Sequence, residues 1–129
     1  MGAVREEGWC RYVVIPTISK AVNMLVDAGI RARRGYPAEV MPQITAAVAA
    51  VNVKSAEEKT LTLTAAVCAP MSKGAKSCES LAEKVAKTWR DNGAVCSYSE
   101  CRFDSQSALF ILKVQGTWTE PEPEENPAE

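Results

Sequence analysis

From Cys78 the apolar residues fall at Leu81, Ala82, Val85, Ala86 and Trp89, offsets of three, four, seven, eight and eleven that keep them on one side of an α-helix. A stripe of that width must be covered, because leaving it in water forfeits the burial that drives folding. The cover is encoded thirty residues downstream. Between Ala108 and Trp118, Phe110, Leu112, Val114 and Trp118 alternate with Ile111, Lys113, Gln115 and Thr117, which puts one apolar face on a strand. A helix that needs a sheet, followed by a strand that offers one, constrains the chain to an α+β fold.

The neighbouring signals complete that unit. Asp91, Asn92 and Gly93 end the helix, and a strand from Val95 to Phe103 pairs with Ala108–Trp118 through the polar turn Asp104–Ser107. Upstream, Ile18, Ala21, Val22, Leu25 and Val26 predict a first helix that starts near Thr17 or Ser19, with Thr17 as cap and Gly29 as stop. Ile30 to Tyr36 reads as a strand ended by Pro37, and a loop with Pro42 follows. Ala46–Val53 and Thr60–Cys68 read as two further strands joined by the polar turn Ser55–Lys59. Alanine favours helix, so a helix from Pro42 to Val51 competes with the first of these. The expected order is α-β-β-β-α-β-β, a mostly antiparallel sheet with both helices packed on one face.

With 129 residues, 47% hydrophobic and 24% charged, the chain suits one domain with one core. That domain is placed at residues 16–119. Residues 1–15 form an N-terminal segment in which Gly8–Ile15 is a candidate extra strand or docking piece. Residues 120–129 form an acidic tail with five glutamates, Glu120, Glu122, Glu124, Glu125 and Glu129, and three prolines. Such composition predicts an extended, mobile segment. The formal net charge of -1 therefore hides a body that is basic without its tail. No apolar run approaches the roughly 20 residues of a bilayer span, and the N-terminus lacks a signal peptide, so expression and retention in the cytoplasm are expected.

The five cysteines, Cys10, Cys68, Cys78, Cys96 and Cys101, read as reduced thiols acting as small hydrophobes. Cys96 and Cys101 are five apart, and in an uninterrupted strand they would face opposite ways. With no CxxC and no histidine, no metal site is expected. The absence of histidine also removes the commonest general base, and no phosphate-binding glycine loop occurs. Neither catalytic nor cofactor-binding residues are therefore expected. The exposed chemistry that stands out is the triplet Arg31, Arg33 and Arg34. On a strand the first two share a face and the third points away, which suits either a guarded sheet edge or a partner bearing carboxylates or phosphate. Without interleaved aromatic residues, specific nucleic-acid binding is not expected.

In element order and texture the chain resembles the small tail-terminator or tail-completion proteins of bacteriophages, prophages and phage-tail-like particles. The resemblance runs over roughly residues 16 to 119 and is carried by phrases such as GIRARRGYPAEVMPQIT and CRFDSQSALFILKVQGTW. It implies a structural protein of the virion tail, made in the host bacterial cytoplasm. It also implies a ring, typically of six copies, that caps the tail tube and joins it to the neck or sheath. Partners would be other copies of the chain and tail tube, sheath or neck proteins, with no membrane. A ring needs two different complementary patches on each subunit. The candidates are Arg31, Arg33 and Arg34 on one side, and Glu57, Glu58 or the acidic tail on the other. A head-tail connector or other neck protein of the same particle is the closest rival, and a cytoplasmic ligand-binding domain is a rival of another class.

Overall fold

The computed structural model of the chain describes residues 14–35 and 47–120. The elements are α1 (Ile18–Asp27), β1 (Ala32–Arg34), β2 (Val48–Glu57), β3 (Thr60–Pro70), a 3-10 turn (Met71–Lys73), α2 (Gly74–Asp91), β4 (Val95–Tyr98), β5 (Arg102–Asp104) and β6 (Leu109–Thr119). This is the expected α+β order with one strand more. The sheet runs β1-β2-β3-β6-β4, and β5 also pairs with β6. Every described pairing is antiparallel except β1 with β2, which is parallel.

Both helices end by the same device. Gly29 and Gly93 take positive φ (85° and 100°), where a Cβ would be strained. Gly29 N donates to Val26 O and Ile30 N to Leu25 O, while Gly93 N donates to Arg90 O and Ala94 N to Trp89 O. These are Schellman ends, and the next residue, Ile30 or Ala94, is buried as the motif's apolar partner. At its start α1 is capped by Thr17, whose Oγ1 accepts from Lys20 N at 3.1 Å. Each helix is thus cut to the length its apolar stripe can cover.

The core lies between the helices and one sheet face. Cys78, Ala82, Val85, Ala86 and Trp89 of α2 and Ala21, Val22 and Leu25 of α1 meet Ala49, Val51, Leu61, Leu63, Ala65, Val67, Leu112, Val114 and Trp118. Trp89 stands at its centre. Its ring meets Trp118 edge-on at 5.4 Å, and its Nε1 donates to Ala21 O at 3.2 Å, which ties α2 to α1. Trp118 Nε1 donates to Asn92 O at 3.0 Å, so both indoles have partners for their one donor. Leu81, assigned to the stripe, is only half-buried at its margin.

Three expectations need correction. Ser55–Glu57 is strand and not turn: β2 continues to Glu57, which pairs with Thr60, with an irregularity between Val53 and Ser55. The hairpin tip is exposed on both faces, so its ladder forms without an apolar pattern to announce it. Val95–Phe103 is not one strand: β4 and β5 pair with β6 in registers offset by one residue, and Ser99–Cys101 bulge between them. The extra residue undoes the parity argument, and Cys96 and Cys101 both pack towards the helix side. The first strand is shorter than Ile30–Tyr36, with three residues. Alanines 49 and 50 lie in strand, where they are buried, so the competing helix does not extend through Val48–Val51. Tyr36, Pro37, the loop to Gln43, Ala46, most of the N-terminal segment with Cys10, and residues 121–129 lie outside the described residues.

Candidate functional site

The arginine triplet lies on and beside β1, at one edge of the sheet. Ala49 N donates to Arg31 O at 2.8 Å and Gly35 N to Val51 O at 3.1 Å, which fixes the strand against β2 on its inner side. Asn52 Nδ2 also donates to Gly35 O. Arg33 is level with Ala50 on the face away from the helices, and Arg34 is level with Val51 on the helix side. Arg31, Arg33 and Arg34 are all exposed, and among the described residues none makes an ion pair.

Glu57 and Glu58 occupy the β2–β3 hairpin, and both are exposed. Glu57 is six residues beyond Val51, about 20 Å along the strand at the usual rise. The structure therefore does not bring the arginines and these glutamates into one site. They are separate patches at opposite ends of β2, and Lys59 stands beside Glu58 in the hairpin.

The opposite edge has different chemistry. Along β4 and β5, Val95, Tyr98 and Phe103 are 75%, 43% and 45% exposed. Val95, level with Thr117, is on the face away from the helices, and Tyr98 and Phe103, level with Val114 and Phe110, are on the helix side. Phe103 leans on Phe110 at 5.1 Å, and the Arg90 guanidinium lies 5.7 Å from the Tyr98 ring centre. Both side chains are held in place yet remain accessible. Sequence reasoning missed these residues because they lie on both faces of an edge interrupted by the bulge.

It also missed the sheet face that faces away from the helices. There Lys54, Thr64, Ser97, Ser99, Lys113 and Gln115 line an open hollow of about 470 Å³ together with Tyr98. Lys54 Nζ donates to Gln115 Oε1 at 3.0 Å across β3, and Ser99 Oγ accepts from Lys113 N at 2.9 Å. The residues come from four separate stretches of the chain, so no local motif marks them.

Cys68, Cys78 and Cys96 are arranged for burial and not for attack. Cys78 Sγ donates to Val67 O at 3.2 Å, and burial chiefly, then its neighbour Cys101, pushes its pKa up to about 12. Burial pushes Cys68 up to about 11 and also raises Cys96. A thiol so shifted stays protonated at neutral pH and is a poor nucleophile. Among the described residues no group of three or more His, Cys, Asp or Glu is placed to hold a metal ion. Likewise none of the described helices is long and apolar enough to cross a membrane. Comparison with protein-family models, with curated proteins and with solved structures finds no match for this chain.

Proposed function

We propose that this chain is a structural, non-catalytic subunit of a homo-oligomeric ring, of the tail-terminator kind that caps a phage tail tube and meets the neck or sheath. One observation carries the reading: the two sheet edges differ. The β1 edge offers backbone groups flanked by three exposed arginines, and the β4–β5 edge offers Val95, Tyr98 and Phe103. A head-to-tail ring requires two unlike surfaces on each subunit, whereas a two-fold dimer requires one surface that matches itself. Exposed strand edges in a monomer are usually shielded by charge or distortion. Here one edge carries charge and the other a bulge with apolar side chains, a pairing that limits random edge addition while leaving one specific contact. The resemblance over residues 16–119 supplies the virion setting and the partners: further copies of the chain, and tube, sheath or neck proteins.

The measurement is solution mass, by light scattering or native mass spectrometry, on the parent and on Arg31→Glu/Arg33→Glu. The parent should run as a closed ring of about six subunits, as such rings close by rotation. The double variant should fall to monomer with an unchanged unfolding midpoint, since exposed charges contribute little to stability. A parent that stays monomeric at high concentration and with tube protein present would remove the ring reading. A variant that assembles normally would remove the arginines from the contact.

A further inference from the structure

We infer that the hollow on the sheet face away from the helices is a docking site for the chain's own acidic C-terminal segment, whose glutamates contact Lys54 and Lys113. The hollow is built for anions. Lys54 and Lys113 converge on it from β2 and β6, and Ser97, Ser99 and Thr64 supply hydroxyls beside them. Gln115 holds the Lys54 ammonium from one side through a single contact at 3.0 Å, which leaves its other donors free for a carboxylate. Among the described residues neither lysine makes an ion pair. Arg33 and Arg102, level with Ala50 and Ile111, add positive charge to the same face. The one carboxylate of β5, Asp104, is already engaged by Ser107 Oγ at 2.5 Å.

The segment starts in the right place and has the right length. Glu120 N donates to Lys59 O at 2.8 Å, so the chain leaves β6 beside the β2–β3 hairpin, at the end of the sheet nearer Lys54 and away from the buried Ala50–Ala66 cluster. Lys113 lies six residues back along β6 from Thr119, about 20 Å away, and Lys54 is nearer. The nine residues after Glu120 can span up to about 30 Å. Glu124 and Glu125, four and five residues on, therefore reach the hollow with their side chains in hand. Pro121, Pro123 and Pro127 favour an extended path and bar the segment from pairing as a strand, so contact is made by side chains. The docking holds for a monomer as for a ring.

A zero-length carbodiimide, which joins carboxylates to amines in contact, tests this on the full chain. Equal parts of unlabelled and nitrogen-15 protein are mixed, coupled at low ionic strength, digested and read by mass spectrometry. Expected are cross-links from Glu122, Glu124 or Glu125 to Lys54 and Lys113, several-fold above those to Lys20, Lys76, Lys84 and Lys87. Each should lie within one isotope, and the preference should vanish at about 1 M salt, where the screening length is about 3 Å. Cross-links of mixed isotope would assign the hollow to a second copy's tail and overturn docking within the chain. An even spread over all lysines, or no tail cross-links, would overturn the site. As a second reading, Glu122→Gln/Glu124→Gln/Glu125→Gln leaves the folded body untouched and should shift the backbone amide resonances of Ser97, Ser99, Lys113 and Gln115. Unshifted resonances at those four positions would also overturn it.

Discussion

Adding one methyl group at Gly116 should cost the fold more than most single surface changes, because the space is already filled. A Cβ there would lie 2.6 Å from Cε3 of Trp89, 3.1 Å from Cζ3 and 3.4 Å from Cδ2. Carbon atoms rest at about 3.5–4.0 Å, so ring and strand must part by about 1 Å. Neither is free to move. Trp89 is fully buried, tied to Ala21 O and set edge-on to Trp118. Gly116 is level with Leu63 on one side and with Cys96 on the other, so its backbone is held in the ladder from both. Overpacking of this kind costs about 1–3 kcal/mol. Restricting the unfolded chain returns about 0.4–1 kcal/mol, so Gly116→Ala should be destabilised by about 1–2 kcal/mol net. With a urea m-value of about 1–3 kcal/mol/M, the unfolding midpoint should fall by roughly 0.5–1 M at constant slope. Trp89→Phe removes the ring edge in question. In that background the added methyl should cost less, with a coupling of about 0.5–2 kcal/mol in the double-mutant cycle. An unchanged midpoint for Gly116→Ala, or strict additivity with Trp89→Phe, would refute the packing described.

Leu63→Ala, at a fully buried strand position, should lose about 2–5 kcal/mol, while Leu81→Ala, at the half-buried margin of α2, should lose clearly less; denaturant midpoints in the reverse order would mean the helix is rotated. Thr17→Ala should cost about 1 kcal/mol through loss of the cap to Lys20 N, and Thr17→Ser should restore most of it. The buried thiols set a pH dependence. Cys68 and Cys78 titrate in the folded state at about 11 and about 12, above their ordinary 9.0, so the folded state retains protons that the unfolded state loses. Their stabilising contribution is complete below about pH 9 and falls as pH rises towards 11 and 12. Cys68→Ala should therefore lose less stability than the parent between pH 8 and pH 10.5, and equal losses would contradict the assignment.

The parts of the fold that were legible in sequence are those where one face is buried and the other wet. The α2 stripe and β6 alternate cleanly because helices cover one side of them only, and Thr17, Gly29 and Gly93 mark the helix ends through local chemistry. Where both faces are wet the pattern fails, as in the β2–β3 tip, whose residues Val53–Glu58 are all exposed. The bulge between β4 and β5 was hidden for another reason. It depends on how β6 aligns with both strands, a relation that no local window contains. The arginine triplet was visible because its members are adjacent. Lys54, Ser97 and Lys113 were not, since strand order alone brings them together. The parallel alignment of β1 with β2 is likewise a matter of long-range pairing.

The position of β6 has a temporal consequence. It lies between β3 and the β4–β5 edge, yet among the described strands it is the last to be synthesised. At about 5–20 residues per second, the growing chain spends several seconds with β3 and α2 complete and their shared apolar surface uncovered. The β2–β3 hairpin and the two helices can form early from local contacts, but no sheet joins them to β4 until β6 inserts. A nascent chain halted at Ala108 should be cut readily by protease throughout α2, and one halted past Thr119 and free to fold should resist. The chain therefore has to pass through an interval in which Leu63, Val67 and Trp89 are open to one another's neighbours in other copies. Correct folding then depends on β6 closing its own sheet before a strand of another nascent chain can pair with β3 in its place.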